Sequence, residues 1–153
     1  MNKFLSIIMN AKKNMIILSG GFDPIHKGHV RMFKEASLNG MVVAGLNSDQ
    51  WLIRKKGKFF MPFVERKEIL ESIRYIDLVK SFDDSDDTAC SLINKINNEY
   101  SENYNIFFGN GGDRTNQTTP EIKFCNDNNI DLIWGLGGGK IQSSSELLKN
   151  WYK

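Results

Sequence analysis

Two histidines, His26 and His29, stand three residues apart in the glycine-rich turn Ser-Gly-Gly-Phe-Asp-Pro-Ile-His-Lys-Gly-His, residues 19–29. The turn follows a short apolar run, residues 15–18, and precedes apolar residues at helical spacing. Side chains three apart on the first turn of a helix project from the same side, so both imidazoles can face one ligand. Because backbone N–H groups and the helix dipole converge at a helix N-terminus, this junction predicts an anion site, and a phosphate in particular.

Gly28 lies between the two histidines, and its missing Cβ lets a phosphate approach the backbone closely. Histidines that only cap or pack are the first alternative, but the preceding strand, the glycines and Asp23 argue against it. Zinc is the second alternative. It is weakened because these are the only two histidines, and Cys90 and Cys125 are far away in sequence.

The pattern Gly-x-Phe-Asp-x-x-His-x-Gly-His, residues 20–29, resembles the signature of the nucleotidylyltransferase superfamily, in particular the cytidylyltransferases. The resemblance extends over about residues 15–150. It implies a single-domain α/β, Rossmann-like fold with a five-stranded parallel sheet of order 3-2-1-4-5, helices on both faces, and ligands at the carboxyl ends beside the first strand. It also implies an enzyme that transfers a nucleoside monophosphate from an NTP to a phosphorylated polyol or sugar and releases pyrophosphate.

The composition is that of one ordinary domain of 153 residues, with 20 Lys and Arg against 18 Asp and Glu. This near-neutral balance argues against a general nucleic-acid binder, and no run of about 18 apolar residues predicts a membrane-spanning helix. Two cysteines without short spacing are typical of reduced thiols in a cytoplasmic protein. We expect a cytoplasmic domain over residues 15–153 after an N-terminal tail, residues 1–14, that is not a cleaved signal.

Further apolar runs predict the other four strands, and amphipathic segments between them predict helices. Because strands and helices alternate, right-handed crossovers and a parallel sheet are expected. Thr118-Thr119-Pro120-Glu121 predicts a helix start, as does the acidic turn Asp83–Thr88. The acidic turn also resembles one in heptose-phosphate adenylyltransferase domains, which implies carboxylates that hold sugar hydroxyls. The predicted strands are 15–18, 41–46, 78–82, 105–108 and 131–134, with a helix expected over residues 65–75.

A second group of candidate residues follows the second strand. Asn47 and Asp49 lie at its polar end, where they either cap the next helix or line the nucleotide or acceptor cleft, the acceptor being the favoured ligand. The basic run 54–58 is predicted to be a mobile loop that is either simply solvated or folds over phosphates. Resemblance to the cytidylyltransferases implies that Lys55 or Lys56 contacts phosphate, and the sequence does not separate the two.

Residues 65–77 resemble a passage of glycerol-3-phosphate cytidylyltransferases that contains two arginines. Arg66 and Arg74 are therefore candidates for binding the acceptor or the triphosphate. For Arg74 the alternative is an ordinary salt bridge with Asp77, which lies one helical turn further on.

Two further turns complete the predicted nucleotide site. Residues 109–113 contain a Gly-Gly-Asp that resembles the same point in adenylyltransferase domains, and backbone groups there and in residues 135–139 are expected to select the base. Three serines, 143–145, would cap a helix in any protein, and they also resemble the family's Ser-Thr-Thr, which implies contact with the β- and γ-phosphates. The predicted nucleotide-binding residues are Gly20, Gly21, Phe22, Asp23, Gly28, Gly109, Asp113, Lys140, Ser143, Ser144 and Ser145.

The donor base has two candidates. The favoured hypothesis is that CTP is the nucleotide donor and a glycerol-type polyol phosphate is the acceptor. Where the cytidylyltransferases carry an arginine before the hydroxyl triplet, however, this chain has glycines and Lys140, a point cation without arginine's fork. ATP with a heptose-type sugar phosphate is therefore the alternative. A nucleotide-binding regulatory domain without turnover is an alternative of another class.

The chemistry implied by the resemblance requires no general base. A phosphomonoester has a second pKa near 6, so its attacking oxygen is already ionised at neutral pH. We expect His26 and His29 to hold α- and β-phosphate oxygens, and Lys55 or Lys56 to bridge donor and acceptor phosphates. Mg²⁺ is expected on the triphosphate rather than on protein ligands, with Asp23 as a candidate for direct contact. Small molecules are the expected partners, without nucleic acid or membrane, and a homodimer is expected by analogy.

Overall fold

A computed structural model describes residues 11–111 and 119–152, in which five strands alternate with six helices. Most of the predicted tail, residues 1–10, lies outside the described residues. The strands are β1 (Lys13–Gly20), β2 (Met41–Leu46), β3 (Leu78–Ser81), β4 (Tyr104–Gly111) and β5 (Asp131–Leu136). The helices are α1 (Lys27–Ser37), α2 (Asp49–Lys56), α3 (Phe63–Glu71), α4 (Cys90–Tyr100), α5 (Pro120–Asp127) and α6 (Ser144–Trp151).

All four strand pairings are parallel, and the sheet order is β3-β2-β1-β4-β5, which confirms the predicted fold. The order reverses at β1, because β2 lies on one side of it and β4 on the other. Ligands of open parallel sheets bind outside the carboxyl ends at such a switch point. The histidine turn follows β1 directly and therefore lies at this place.

Alternate side chains of β1 fill two hydrophobic cores, one on each face of the sheet. Met15 and Ile17 belong to one core, and Ile16 and Leu18 to the other. A strand buried on both faces has to be apolar throughout, which explains its uninterrupted apolar run. This central strand gives the turn that follows it a rigid base.

Several element boundaries differ from the prediction. The strand predicted from residue 15 begins at Lys13, because Lys13 and Asn14 still pair with β4. The helix predicted over residues 65–75 is α3, which ends at Glu71. α4 begins at Cys90, and the hydroxyl of Thr88, at the end of the acidic turn, accepts from the Cys90 N–H at 3.2 Å. The turn thus leads into the helix as predicted, but its carboxylates bond within the turn or to residues after β2.

The basic run is helical rather than a mobile loop, so that prediction was wrong for its first three residues. They form the last turn of α2, where cations are favoured by the helix dipole. Ser48 caps the beginning of α2 by accepting from the Trp51 N–H, and Gly57 ends it with φ of 85°. Across residues 11–111 and 119–152, no helix has the length and apolar character needed to cross a membrane.

Candidate functional site

Two adjoining clefts open at the carboxyl ends of the strands. The histidine cleft, of about 630 Å³, lies between the histidine turn, the end of β4 and residues 136–145. The tryptophan cleft, of about 490 Å³, is lined by Trp51 and Trp134 together with residues 87–89 and 119–122. The two clefts share one wall, which we call the junction. Its residues are Ser19, Gly20, Phe22, His29, Lys55, Lys56, Asn110 and Ser144.

The two imidazoles stack on each other, with ring centroids 3.8 Å apart and planes inclined by 24°. Nδ1 of His26 accepts from the Gly28 N–H at 3.1 Å, and Nδ1 of His29 accepts from the His26 N–H at 3.3 Å. A neutral imidazole that accepts through Nδ1 carries its proton on Nε2. Each ring therefore has an Nε2–H donor available for a ligand in the cleft that it lines.

Gly28 makes this arrangement sterically possible. A Cβ at position 28 would lie 2.9 Å from Cε1 and 3.0 Å from Nδ1 of His26. The ring of His26 folds back over this glycine to accept its N–H. The structure thus gives a second reason for a glycine at position 28, beside the predicted close approach of a phosphate: a side chain there would collide with the imidazole of His26.

Burial keeps both histidines neutral. Burial, followed by electrostatic interaction with His26 and Lys56, lowers the pKa of His29 from 6.5 to about 3. The pKa of His26 is lowered by burial and then by the charge of Lys140. At neutral pH the rings are therefore hydrogen-bond donors rather than cations, and the positive charge comes from lysines.

We expect the unfolding free energy of the ligand-free protein to decrease as the pH falls from about 6.5 towards 3, partly through His29. The unfolded chain has the ordinary pKa of 6.5 for this group and the folded chain about 3, so the unfolded state binds the proton first. Thermal unfolding at pH 7.5 and pH 5 should show a larger loss for the unaltered protein than for His29→Ala. Equal losses would contradict the assignment of a buried, neutral His29.

Lysines from two segments surround the histidines. Lys55 and Lys56 stand on the last turn of α2 and line both clefts, whereas Lys140 lines the histidine cleft. Nζ of Lys55 lies 4.4 Å from the ring centre of Trp51, and Lys56 is close enough to His29 to lower its pKa. Both α2 lysines thus lie where the predicted bridge between phosphates would be, and the geometry does not separate them.

The three serines have different surroundings. Ser143 is the N-cap of α6 and accepts from the Glu146 N–H at 3.1 Å. Ser144 donates to the carbonyl of Pro24 at 2.6 Å, which ties α6 to the histidine turn and uses its proton. Ser145 lines the histidine cleft beside them. The hydroxyls of Ser143 and Ser145 are therefore better placed to donate to a ligand than that of Ser144.

The predicted glycines are distributed over both clefts. Gly28 and Gly109 line the histidine cleft, Gly21 lines the tryptophan cleft, and Gly20 lies at the junction together with Phe22. Asp113 lies outside the described residues.

Asp23 does not face a ligand, contrary to the prediction of nucleotide or Mg²⁺ contact. It is 2% exposed, and its two oxygens accept from the backbone N–H groups of Phe60 (2.6 Å) and Met61 (2.7 Å). The carboxylate anchors the segment between α2 and α3 to the histidine turn. Burial of a charge is tolerated there because both oxygens receive backbone donors.

Arg66 is likewise structural, which corrects its assignment to the acceptor site. It is 1% exposed. Its guanidinium donates to the carbonyls of Met61, Gly21 and Asn47 and to Oδ1 of Asp49, at 2.7–2.9 Å. Oδ1 of Asp49 is the partner of this buried cation, but the Asp49 side chain is 29% exposed, and its acceptor role stays a prediction.

Arg74 lies at the opposite edge of the sheet, so its predicted substrate role is wrong. It lines a depression at the amino ends of β1 and β2 and donates to the Tyr75 hydroxyl at 2.7 Å. The alternative of a salt bridge with Asp77 is not seen within the described residues either. The Asp77 carboxylate accepts from the Val42 N–H at 2.8 Å.

Asn47 does reach the tryptophan cleft, and its side chain is held by a residue that the sequence did not single out. Its Nδ2 donates to Oδ2 of Asp84 at 3.1 Å. Asp84 is buried and also accepts from the N–H and the hydroxyl of Ser48, both at 2.7 Å. As one of several carboxylates in an acidic turn, Asp84 carried no signal of this role.

Asn110 is a second residue that the sequence reasoning missed. It is the last buried residue of β4, stands between two glycines and is 7% exposed. Its Nδ2 has no hydrogen-bond partner within the part of the chain that the structure describes. The only sequence signal was its place in the glycine-rich turn after a strand.

The described side chains form no cluster of metal ligands. Among residues 11–111 and 119–152 there is no group of three or more His, Cys, Asp or Glu side chains that could hold a metal ion. The carboxylate of Asp23, the predicted candidate, has both oxygens engaged by backbone donors. The expectation that Mg²⁺ is carried by the triphosphate stays a prediction.

Two curated proteins illustrate the sequence relationships. The chain is 35% identical over 65 residues to glycerol-3-phosphate cytidylyltransferase of Bacillus subtilis (strain 168), a match that covers 42% of this chain and 50% of that protein. It is 34% identical over 130 residues to the bifunctional protein HldE of Syntrophotalea carbinolica, which covers 82% of this chain and 23% of that protein. The matches thus span half or less of these relatives' own lengths.

The fold and the sequence family of this chain are also found in known proteins. A lipopolysaccharide core biosynthesis protein from Thermoplasma volcanium GSS1 has a TM-score of 0.59 at 18% identity, covering 81% of this chain and 96% of that one. At this identity the similarity concerns the fold. Residues 17–136 match the family described as Cytidylyltransferase-like. Because this match includes more than half of the chain, the protein belongs to the cytidylyltransferase-like family.

Proposed function

We propose that this protein is a nucleotidylyltransferase that transfers a nucleoside monophosphate from an NTP to a phosphorylated polyol or sugar, with release of pyrophosphate. The observation that carries this proposal is the junction, where one wall with His29, Lys55 and Lys56 faces two clefts. A reaction between two phosphate-bearing substrates needs such a shared wall of donors and cations. Membership in the cytidylyltransferase-like family supports it.

In the proposed reaction, an oxygen of the acceptor phosphate attacks the α-phosphorus of the NTP. A new P–O bond forms, the bond from the α-phosphorus to the oxygen that bridges to the β-phosphate breaks, and its electron pair leaves with pyrophosphate. The attacking oxygen is already ionised at neutral pH, so no side chain has to remove a proton. Catalysis then consists of alignment and compensation of negative charge.

The histidine cleft suits the triphosphate. The Nε2–H groups of His26 and His29 would donate to oxygens of the α- and β-phosphates, at the positive N-terminus of α1. Ser143 and Ser145, at the beginning of α6, would meet the outer phosphates. A neutral imidazole donates such a hydrogen bond from its Nε2–H and keeps its proton.

The tryptophan cleft suits the acceptor. Trp51 and Trp134 offer apolar ring surface for the carbon skeleton of a sugar or polyol. Asp87 and Glu121 on the same cleft offer carboxylate oxygens that can accept from its hydroxyl groups. At the junction, Lys55 and Lys56 lie next to both substrates and would neutralise the phosphates as they come together.

We propose that Mg²⁺ enters as part of the substrate, bound to the triphosphate, since the described side chains supply no cluster of ligands for it. CTP with a glycerol-type phosphate is the first candidate pair, from the resemblance of the histidine turn. ATP with a heptose-type phosphate is the second, favoured by the presence of Lys140, rather than an arginine, on the histidine cleft.

The test is a pyrophosphate-release assay that crosses four NTPs with a panel of phosphorylated sugars and alcohols in the presence of Mg²⁺. We expect turnover with one NTP and one class of acceptor, and the base that gives turnover decides between the two candidate pairs. Binding of NTP without pyrophosphate from any acceptor would favour a regulatory domain. If the protein neither binds an NTP nor releases pyrophosphate, the proposal is overturned. A homodimer and the absence of nucleic-acid partners stay predictions.

A further inference from the structure

Asn110 presents a buried polar group for which residues 11–111 and 119–152 supply no partner. The residue is 7% exposed, and its Nδ2 makes no hydrogen bond to any part of the chain that the structure describes. Buried amide donors in native proteins are nearly always bonded, because an unpaired one loses its water without compensation. An exception at the edge of a cleft indicates that the missing partner is a ligand.

The end of β4 holds this side chain in a fixed place. The register with β5 shifts between Gly109 and Gly111, which flank Asn110. A Cβ at Gly109 would lie 2.7 Å from Leu18, and a Cβ at Gly111 would lie 2.5 Å from Met32. Since both flanking positions are packed this tightly, the strand end has little freedom to turn Asn110 towards another partner.

The surroundings of Asn110 identify the chemistry of the ligand. Asn110 is a junction residue, so it faces both clefts together with His29, Lys55 and Lys56. Nδ2 is a donor, so its partner must be an acceptor, and a neighbourhood of lysines and an imidazole donor favours an anionic one. A phosphate oxygen meets both conditions.

We propose that Nδ2 of Asn110 donates a hydrogen bond to an oxygen of the phosphate that lies at the junction, which makes Asn110 a further substrate-binding residue. The inference rests on the proposed function, in which the transferred phosphate occupies this place. It assigns to β4 a direct contact with the reacting group, in addition to those expected from α1 and α2.

The test compares Asn110→Ala and Asn110→Asp with Asn105→Ala, which changes an exposed asparagine at the other end of β4. Kinetic constants are measured for the best substrate pair, affinity is measured for the Mg²⁺–NTP complex, and thermal unfolding is measured without ligand. We expect kcat/KM for Asn110→Ala to fall about ten- to hundredfold, the range for a lost bond to a charged group. Asn110→Asp should lose more, because it sets a carboxylate against phosphate, and Asn105→Ala should match the unaltered protein.

Stability separates this role from a structural one. Since Nδ2 has no partner in the described part of the chain, Asn110→Ala should unfold at the same temperature as the unaltered protein or higher. A clear decrease in Tm that accompanies the loss of activity would overturn the inference, and so would kcat/KM within twofold for both Asn110 variants.

The outcomes also separate this inference from the proposed function. If the unaltered protein turns over and both Asn110 variants match it, only the inference fails. If it binds Mg²⁺–NTP without turnover and the variants bind more weakly, the inference stands and the proposed function fails. If it binds neither NTP nor inorganic pyrophosphate, both fail.

Discussion

Replacing His29 with alanine is expected to lower the rate of pyrophosphate release about a hundredfold to a thousandfold. The imidazole lies at the junction of the two clefts, and its tautomer is fixed by the backbone N–H of His26. Its Nε2–H is therefore in place before substrate arrives, and removal of one such preorganised donor to a reacting group costs about 2.7–4 kcal/mol of transition-state stabilisation. The measurement is kcat for pyrophosphate release with the best substrate pair.

The matched control is Lys34→Ala, an exposed change in the last turn of the same helix, which should leave kcat unchanged. Circular dichroism and Tm should show that both variants are folded. If His29→Ala retained a rate within a few-fold of the unaltered protein, the histidine pair would not be part of the reacting site.

The largest expected effect on stability is that of Arg66→Ala, which should lower the unfolding free energy by about 3–5 kcal/mol, the range for breaking a buried ion pair. The change leaves the Asp49 carboxylate without its cation and removes the donors of three carbonyl groups. Arg66→Lys should also be destabilising, because a single ammonium group cannot serve partners spread around a planar fork. Urea unfolding followed by tryptophan fluorescence measures both.

Arg74→Ala supplies the control for this prediction. Its guanidinium is on the surface and bonds to the hydroxyl of its neighbour Tyr75, so the unfolding free energy should change by about 0.5 kcal/mol or less. If Arg66→Ala left the stability unaltered and raised the KM for the acceptor, the structural role of Arg66 would be contradicted and its predicted role in substrate binding supported.

The fold could be predicted because its main signal is local. The apolar run of β1 is continuous since both of its faces are buried, and the alternation of such runs with helices requires a parallel sheet. The strand order itself came from the resemblance to the nucleotidylyltransferases, since periodicity does not contain it. The extent of α2 was missed, although Ser48 before it and Gly57 after it are typical cap residues, because the run of cations was interpreted as a loop.

The site could be predicted only in part, because a charged residue in a motif can face either a ligand or the protein. The spacing of His26 and His29 is visible in the sequence, but the partners of Asp23 and Arg66 are not. Asp23 bonds to a residue 38 positions away, and Arg66 to one 45 positions away. Contacts at such separations are decided by tertiary packing, and Asn110 was missed for the same reason.

The separate walls of the two clefts have a consequence for how substrate preference can change. Residues 137–142 line the histidine cleft alone, and residues 119–122 line the tryptophan cleft alone. If each cleft holds one substrate, exchange of either segment changes one preference and leaves the reacting wall intact. Such a division would allow a new combination of nucleotide and acceptor substrates on the same fold while the residues at the junction stay unchanged.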